Sequence, residues 1–391
     1  MILFFNLIYF LYLYFVLSNF MNFDFEEKEN EIHNIEINKN KIKNDEIIQQ
    51  LINEIENLKK ENIQLKQNIT KINERLLNLE KFHYTKNRKK IKLTNSKIKN
   101  TNIIKSHNNY INSISTFPLG NIISVSDDKS IKIYNIHFEL LQNIENAHNN
   151  GIIYVNIKDE KNFVSCSFDI KTWINKGNNT KFEINKLIKN AHNDKIMKVI
   201  FYKNNFLISC SWDKTIKIWE ENNTINSYVN ITILKDSNCL NSFLLLNDKN
   251  ILISSGEDGT KCYTLNTFNI IFDVKKTWCG YNNAICRINT DNIIVKGKGT
   301  NNLKIISIEE KKIIKQIKND FQCNCIYVIN DKSIFLIGGK SNVIKVFKIE
   351  NFEFIFNIEN SHFDDIKGFE ELNDSSIISY SNDGIIKVWE F

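Results

Sequence analysis

One proline and twelve glycines in 391 residues are too few for a collagen-like, proline-rich or Gly/Ser-linker architecture. The eight cysteines form no CxxC pair and stand at no metal-ligand spacing from a histidine, which excludes zinc ribbons and fingers. There is no Gly-x-Ser-x-Gly nucleophile turn. Nor is there a glycine-rich phosphate loop, because Gly297-Lys298-Gly299 lacks the further spacing and the helix. These patterns offer no catalytic residue, no cofactor site and no metal site, so the chain is read as a non-enzyme. What it does have is 42% hydrophobic and 25% charged residues, enough to bury a core. It also has 62 asparagines, a residue that tolerates left-handed backbone and is expected to replace glycine in turns.

The net charge of +6 is local. Between His83 and Lys105 stand Lys86, Arg88, Lys89, Lys90, Lys92, Lys97, Lys99 and Lys105 with no acid among them. The remainder of the chain is slightly acidic. A nucleic-acid binder would spread its basic charge over a folded face, and none is expected here. The run at Lys86–Lys92 has a sharper reading as a nuclear-import signal or an acidic-lipid contact. The plainer reading is a solvated tether extended by its own repulsion.

Residues 1–23 carry no charge. Three readings compete for them. A membrane anchor needs about 20 apolar residues, which this segment barely supplies, with Asn6 inside it and no flanking Lys or Arg. A signal peptide needs a basic start, which is missing. The third reading places the true start at Met21, with AT-rich untranslated sequence read in frame before it. The expected location is the cytoplasm or a membrane surface, with the nucleus as the alternative.

From Ile48 to Leu79 apolar residues recur at spacings of three and four. With Ile48 as position a, the a series is Ile48, Ile55, Asn62, Ile69 and Leu76, and the d series is Leu51, Leu58, Leu65, Ile72 and Leu79. Ile at a with Leu at d favours a parallel two-stranded coil, and one Asn at a fixes register and dimer state. The flanking pairs Glu54–Lys59, Glu61–Lys66 and Arg75–Glu80 are all of opposite sign. A homodimer through this coiled coil is expected.

Beyond residue 100 the pattern changes to short Ile/Val/Phe/Ser runs separated by Asn, Asp and Lys, as many short strands require. The best copy of a repeat is FLISCSWDKTIKIW, from Phe206 to Trp219. Aligned copies end at Tyr134, Trp173 and Trp389, and weaker ones near Tyr263, Ile306 and Phe347, at spacings of 39, 46, 44, 43, 41 and 42 residues in chain order. A polar turn near 120, 161, 204, 248, 291, 331 and 374 repeats at 41, 43, 44, 43, 40 and 43. Two landmarks of different chemistry agree on seven units.

These repeats resemble the WD-repeat β-propeller family, whose unit of about 40–45 residues makes one four-stranded blade. The resemblance covers roughly residues 92–391 and implies an all-β seven-bladed propeller. It also implies a His–Ser–Asp–Trp network that holds each blade together. The matching sets are His107, Ser124, Asp128 with Tyr134; His148, Ser165, Asp169, Trp173; His192, Ser209, Asp213, Trp219; and His362, Ser379, Asp383, Trp389. Such a set, recurring once per blade, is structural rather than a catalytic triad. The second unit is two residues short between Asp169 and Trp173, so a pinched hairpin is expected. The fifth and sixth units lack His, Asp and Trp and are expected to rely on apolar packing.

The last unit ends after a third strand, so residues 97–105 are expected to supply its fourth. The organisation expected is therefore an apolar segment at 1–23, a charged and partly helical one at 24–47, a coiled coil at 48–82, a basic linker at 83–96 and a propeller at 97–391. In this family, side chains three and five residues after the network His, and the one before the turn Asp, face out beside the channel. By position these are Tyr110, Asn112 and Asp127; Gly151, Ile153 and Phe168; Lys195, Met197 and Trp212; and Asp365, Lys367 and Asn382. Ile153, Phe168, Met197 and Trp212 are expected to form one exposed apolar patch for a protein partner, with Lys195 and Tyr110 beside it. The expected function is a dimeric, non-catalytic scaffold. The alternatives are a G-protein β-like subunit that pairs with a separate helical partner, and a nuclear or RNA-processing propeller that uses the basic linker.

Overall fold

The computed structural model describes residues 99–391 except 178–180, 204, 258, 278–283, 299, 330 and 332, together with Asn53 and Asn57. Asn53 and Asn57 are helical and exposed. The apolar segment, the basic linker to Ile98 and the coiled-coil seam (Leu51, Ile55, Leu58, Asn62, Leu65, Ile69, Ile72, Leu76) lie outside the described residues. Among the described residues no helix is long and apolar enough to cross a membrane.

The short apolar runs become strands, and among the described residues they form seven four-stranded antiparallel sheets. Blades one to six cover residues 111–144, 154–188, 196–235, 240–275, 285–317 and 323–358. Blade seven joins 366–390 to the strand Lys99–Lys105. The first strand of each blade touches the first strand of the next, and the seventh returns to the first, so the ring is closed. Second strands such as Ile122–Ser126 and Ile377–Ser381 are buried at every position, because a blade lies against each face. That is why these strands read as unbroken apolar or small runs instead of alternating ones.

The ring closes through the strand expected from the sequence. Lys99–Lys105 runs antiparallel to Ile385–Glu390, pairing Lys105 with Ile385 and Lys99 with Glu390. The N–H groups of Ser106 and His107 both reach the carbonyl of Gly384, at 2.9 and 3.2 Å. Gly384 has a φ of 74°, and a Cβ there would collide with the His107 carbonyl. The same turn position holds Lys129 and Lys214 in blades one and three, also at positive φ. At the seam the incoming backbone makes glycine necessary, and in blade four Gly259 holds the same position with the Val274 carbonyl 2.8 Å from where its Cβ would stand. Asparagine takes left-handed positions at 146, 190, 226, 250 and 360, but lysine takes as many, at 129, 203, 214, 276 and 311. Glycine's place in the turns is thus shared, not held by asparagine alone.

Blades five and six, without a network, share a cluster that includes Ile294, Leu303, Ile305, Phe335, Ile337 and Phe347. The Phe335 and Phe347 rings stack at 5.0 Å. The seven described cysteines are free. Cys166 and Cys210 are fully buried, and burial pushes the Cys323 thiol up to about 12, so these are small core side chains, not nucleophiles.

Candidate functional site

In three blades the chemistry of the donors dictates one order of protons. An indole N–H can only donate, and Trp173, Trp219 and Trp389 each donate to the blade's serine at 2.8 Å. The serine hydroxyl therefore turns its own proton to histidine Nε2, at 2.7 Å in all three. The ring proton then sits on Nδ1, which donates to Asp169, Asp213 or Asp383 at 2.6, 2.8 and 3.0 Å. Burial pulls His192 down to about 4 and His148 below its ordinary value. Both ring nitrogens are engaged in every set. No nitrogen is left to take a proton from a substrate.

Blade one differs at its end. Tyr134 places its hydroxyl past Ser124 and bonds Ser106 at 2.8 Å, and Ser106 lies 3.2 Å from Ser124. A phenol carries its polar atom at the ring tip, so the network gains one member. His107 keeps Ser124 at 2.8 Å and Asp128 at 2.9 Å. In blade two the missing residues are the left-handed one and the one after it, which is Ser or Thr in blades one and three and Ile385 in blade seven. Asp128 and Asp213 each bind that next side chain, Ser130 or Thr215, at 2.6 Å. Asp169 has no such neighbour and is followed at once by the strand Ile170–Ile174.

A further member escaped the sequence reading. A lysine stands two residues before every landmark: Lys132, Lys171, Lys217, Lys261, Lys304, Lys345 and Lys387. Lys132, Lys171 and Lys217 donate to the carbonyl just before the blade's histidine at 2.6, 2.6 and 2.7 Å. Where the histidine is missing, the lysine finds another acceptor: Lys261 meets Asp236 at 2.8 Å, Lys345 meets Asp320, and Lys304 donates to the Lys276 carbonyl at 2.7 Å. Its recurrence in seven copies was the available signal.

A buried carboxyl adds a titration of opposite sign. Glu370, half-buried on the innermost strand of blade seven, accepts the Thr116 N–H of blade one at 3.1 Å. Burial pushes it up to about 7, and Glu371 adds to the rise. Its folded value lies above its unfolded one, so its contribution is complete below about pH 4.5 and is lost as pH rises through 7. His192 runs the other way: its contribution is present above pH 6.5 and is lost as pH falls through 4. Glu370→Gln keeps the acceptor for Thr116 and cannot ionise. It is expected to raise Tm at pH 8, by a stability gain on the order of 1–2 kcal/mol, and to leave Tm at pH 5 almost unchanged. Calorimetric melts at the two pH values check this.

The surface round the channel on the histidine side divides in two. Towards blades seven and one it is polar. Asn112 bonds Asp127 at 2.7 Å and the Ile152 carbonyl at 2.8 Å, and Lys367 lies 5.9 Å from the Tyr110 ring centre. Asp365 and Asn382 are half-buried and joined through the backbone, from Asn382 N–H to Asp365 carbonyl at 3.0 Å. Gly151 is pressed against Asp127, whose carboxylate a Cβ would strike.

Towards blades two and three the surface is apolar, but shallower than expected. Phe168 is 40% exposed, while Ile153 and Trp212 are half-buried. Met197 is a correction. It is 8% exposed and belongs to the core cluster with Leu240 and Phe243, because blade four closes over it. Trp212 is tied to the next blade. Its indole N–H bonds Asn241 of blade four at 2.8 Å, and Lys195 lies 5.1 Å above its ring. The opposite rim holds an open groove of about 640 Å³ that includes Asn156, Lys158 and Phe201. There Asn156 accepts the Phe201 N–H at 3.0 Å, and Lys158 covers the Phe201 ring.

A family model described as WD domain, G-beta repeat matches residues 98–135 and 185–220. Two WD40 repeats thus stand in this seven-bladed ring. Each match starts on the outer strand of the preceding blade and ends at the third strand of the next, blade one in the first case and blade three in the second. The WD40 unit is thus offset from the blade by one strand, the offset that lets Lys99–Lys105 complete blade seven. No curated protein matches the chain. WD40 propellers are in general protein-interaction scaffolds.

Proposed function

We propose that this protein is a non-catalytic adaptor that docks partner proteins at the surface formed by Ile153, Phe168, Lys195 and Trp212, and that its coiled coil pairs two chains. One observation carries the docking reading. An aromatic pair stands partly open beside the channel of a ring whose four network histidines are engaged internally, and Trp is the most enriched hot-spot residue. Pairing two such rings would raise the effective concentration of one for a partner already held by the other.

Phe168 is exposed, so Phe168→Asp is expected to leave the melting temperature unchanged and to abolish capture of partners that the wild-type chain retains. Trp212→Ala should cost on the order of 2 kcal/mol of binding. It should also cost some stability, since Asn241 loses its donor. Partners retained equally by all three chains would refute the docking surface. Mass measurement of residues 24–391 tests the pairing, with a homodimer expected and a monomer refuting it.

A further inference from the structure

We infer that the Trp212 surface recognises a carboxylate set beside an apolar side chain in an extended peptide. This rests on the docking reading above and names what docks. Two donors without acceptors bracket one indole. The first is Asn241. Because the Trp212 N–H can only donate, it fixes the Asn241 carbonyl oxygen towards itself at 2.8 Å and leaves the amide nitrogen for another partner. Asn241 is 2% exposed, and among the described residues its Nδ2 has no acceptor. A buried N–H group in that state is destabilising, and a bound acceptor would remove the penalty.

The second donor is Lys195. Its ammonium lies 5.1 Å above the same ring, its side chain is exposed, and among the described residues it forms no ion pair. One carboxylate at the ring edge reaches for both donors, and an adjacent apolar side chain covers Phe168 and Ile153. The rest of the rim sets the direction. Asp127, Asp364 and Asp365 lie towards blades seven and one, within the field of Lys367. They repel an acid there, so the acidic end belongs over blade three.

An Asp or Glu side chain within a chain and a free C-terminus offer the same chemistry. Two phage libraries of random dodecapeptides separate them, one with the peptide's C-terminus fused to coat protein and one with it free, each panned on the full-length protein. Enriched peptides are expected to carry an acid within two positions of Leu, Met or Phe. Success in both libraries assigns the carboxylate to a side chain, and success only with free ends assigns it to the terminus.

Lys195→Glu should weaken the selected peptides by about tenfold or more and, in a new selection, turn the preference to Lys or Arg. Asn241→Asp keeps the acceptor for Trp212, removes the free donor and should weaken them similarly with the fold intact. Peptides that need Trp212 yet show no acid preference and ignore Lys195→Glu would overturn the carboxylate and leave the docking surface standing. A selection with no Trp212-dependent peptide would overturn both.

Discussion

A chain that begins at His107 is expected to lose its closed ring, while one that begins at Lys97 keeps it; neither carries the coiled coil, so the difference isolates one strand. Lys99–Lys105 supplies the whole outer edge of blade seven, and its removal strips the ladder from Ile385–Glu390. At roughly 0.5–1.5 kcal/mol for each hydrogen bond, the loss is on the order of 5 kcal/mol. That is a large fraction of the stability of an ordinary domain. It also uncovers a strand edge, which invites pairing between molecules. Ile104 leaves the cluster it shares with Ile386 and Val388. The chain from His107 should therefore melt many degrees lower and elute as aggregate, while the chain from Lys97 elutes as a single species. A chain from His107 that melts with its longer counterpart and stays monomeric would show that three strands suffice for blade seven.

Why that seam could be read whole from the sequence, while the candidate docking surface could be read in position but not in depth, comes down to what repetition records. Each landmark marks the same third-strand position, and all seven are buried: Tyr134, Trp173, Trp219, Tyr263, Ile306, Phe347 and Trp389. Blades five and six keep only the apolar character of that position, and this was enough to count them. The network sets could be read for the same reason, since a buried imidazole needs its partners at fixed offsets.

Depth is not periodic. Met197 and Phe168 occupy rim positions on adjacent blades, yet one is covered by blade four and the other is open, because the cover comes from side chains 40 or more residues away in the chain. The partner of Trp212 is likewise Asn241, from the next blade. Tyr134 was placed correctly and its partner missed, since a phenol reaches further than an indole. The rise of Glu370 depends on the packing of blade seven against blade one, and no motif marks it. The repeated lysine is present in every unit but does not stand out, because lysine is frequent everywhere in this chain.

Trp219 carries the second large effect. It is 5% exposed, packs with Leu207 and Val199, and its N–H starts the chain of bonds through Ser209 and His192 to Asp213. Trp219→Ala removes the ring from the core of blade three and is expected to cost about 3–5 kcal/mol. Trp219→Phe retains most of the apolar body and removes one donor, for a loss of about 1 kcal/mol. Urea unfolding at pH 7.5 measures both.

Acid then separates packing from proton order. In the Phe variant Ser209 still donates to His192, the imidazole stays buried and neutral, and stability should still fall as pH drops from 6.5 towards 4. In the Ala variant the cavity opens beside the imidazole, hydration raises its proton affinity, and that acid-dependent loss should shrink. Equal acid dependence in wild type and Trp219→Ala would mean that the indole seals nothing. The low proton affinity of His192 would then belong to the second strand and the turn alone.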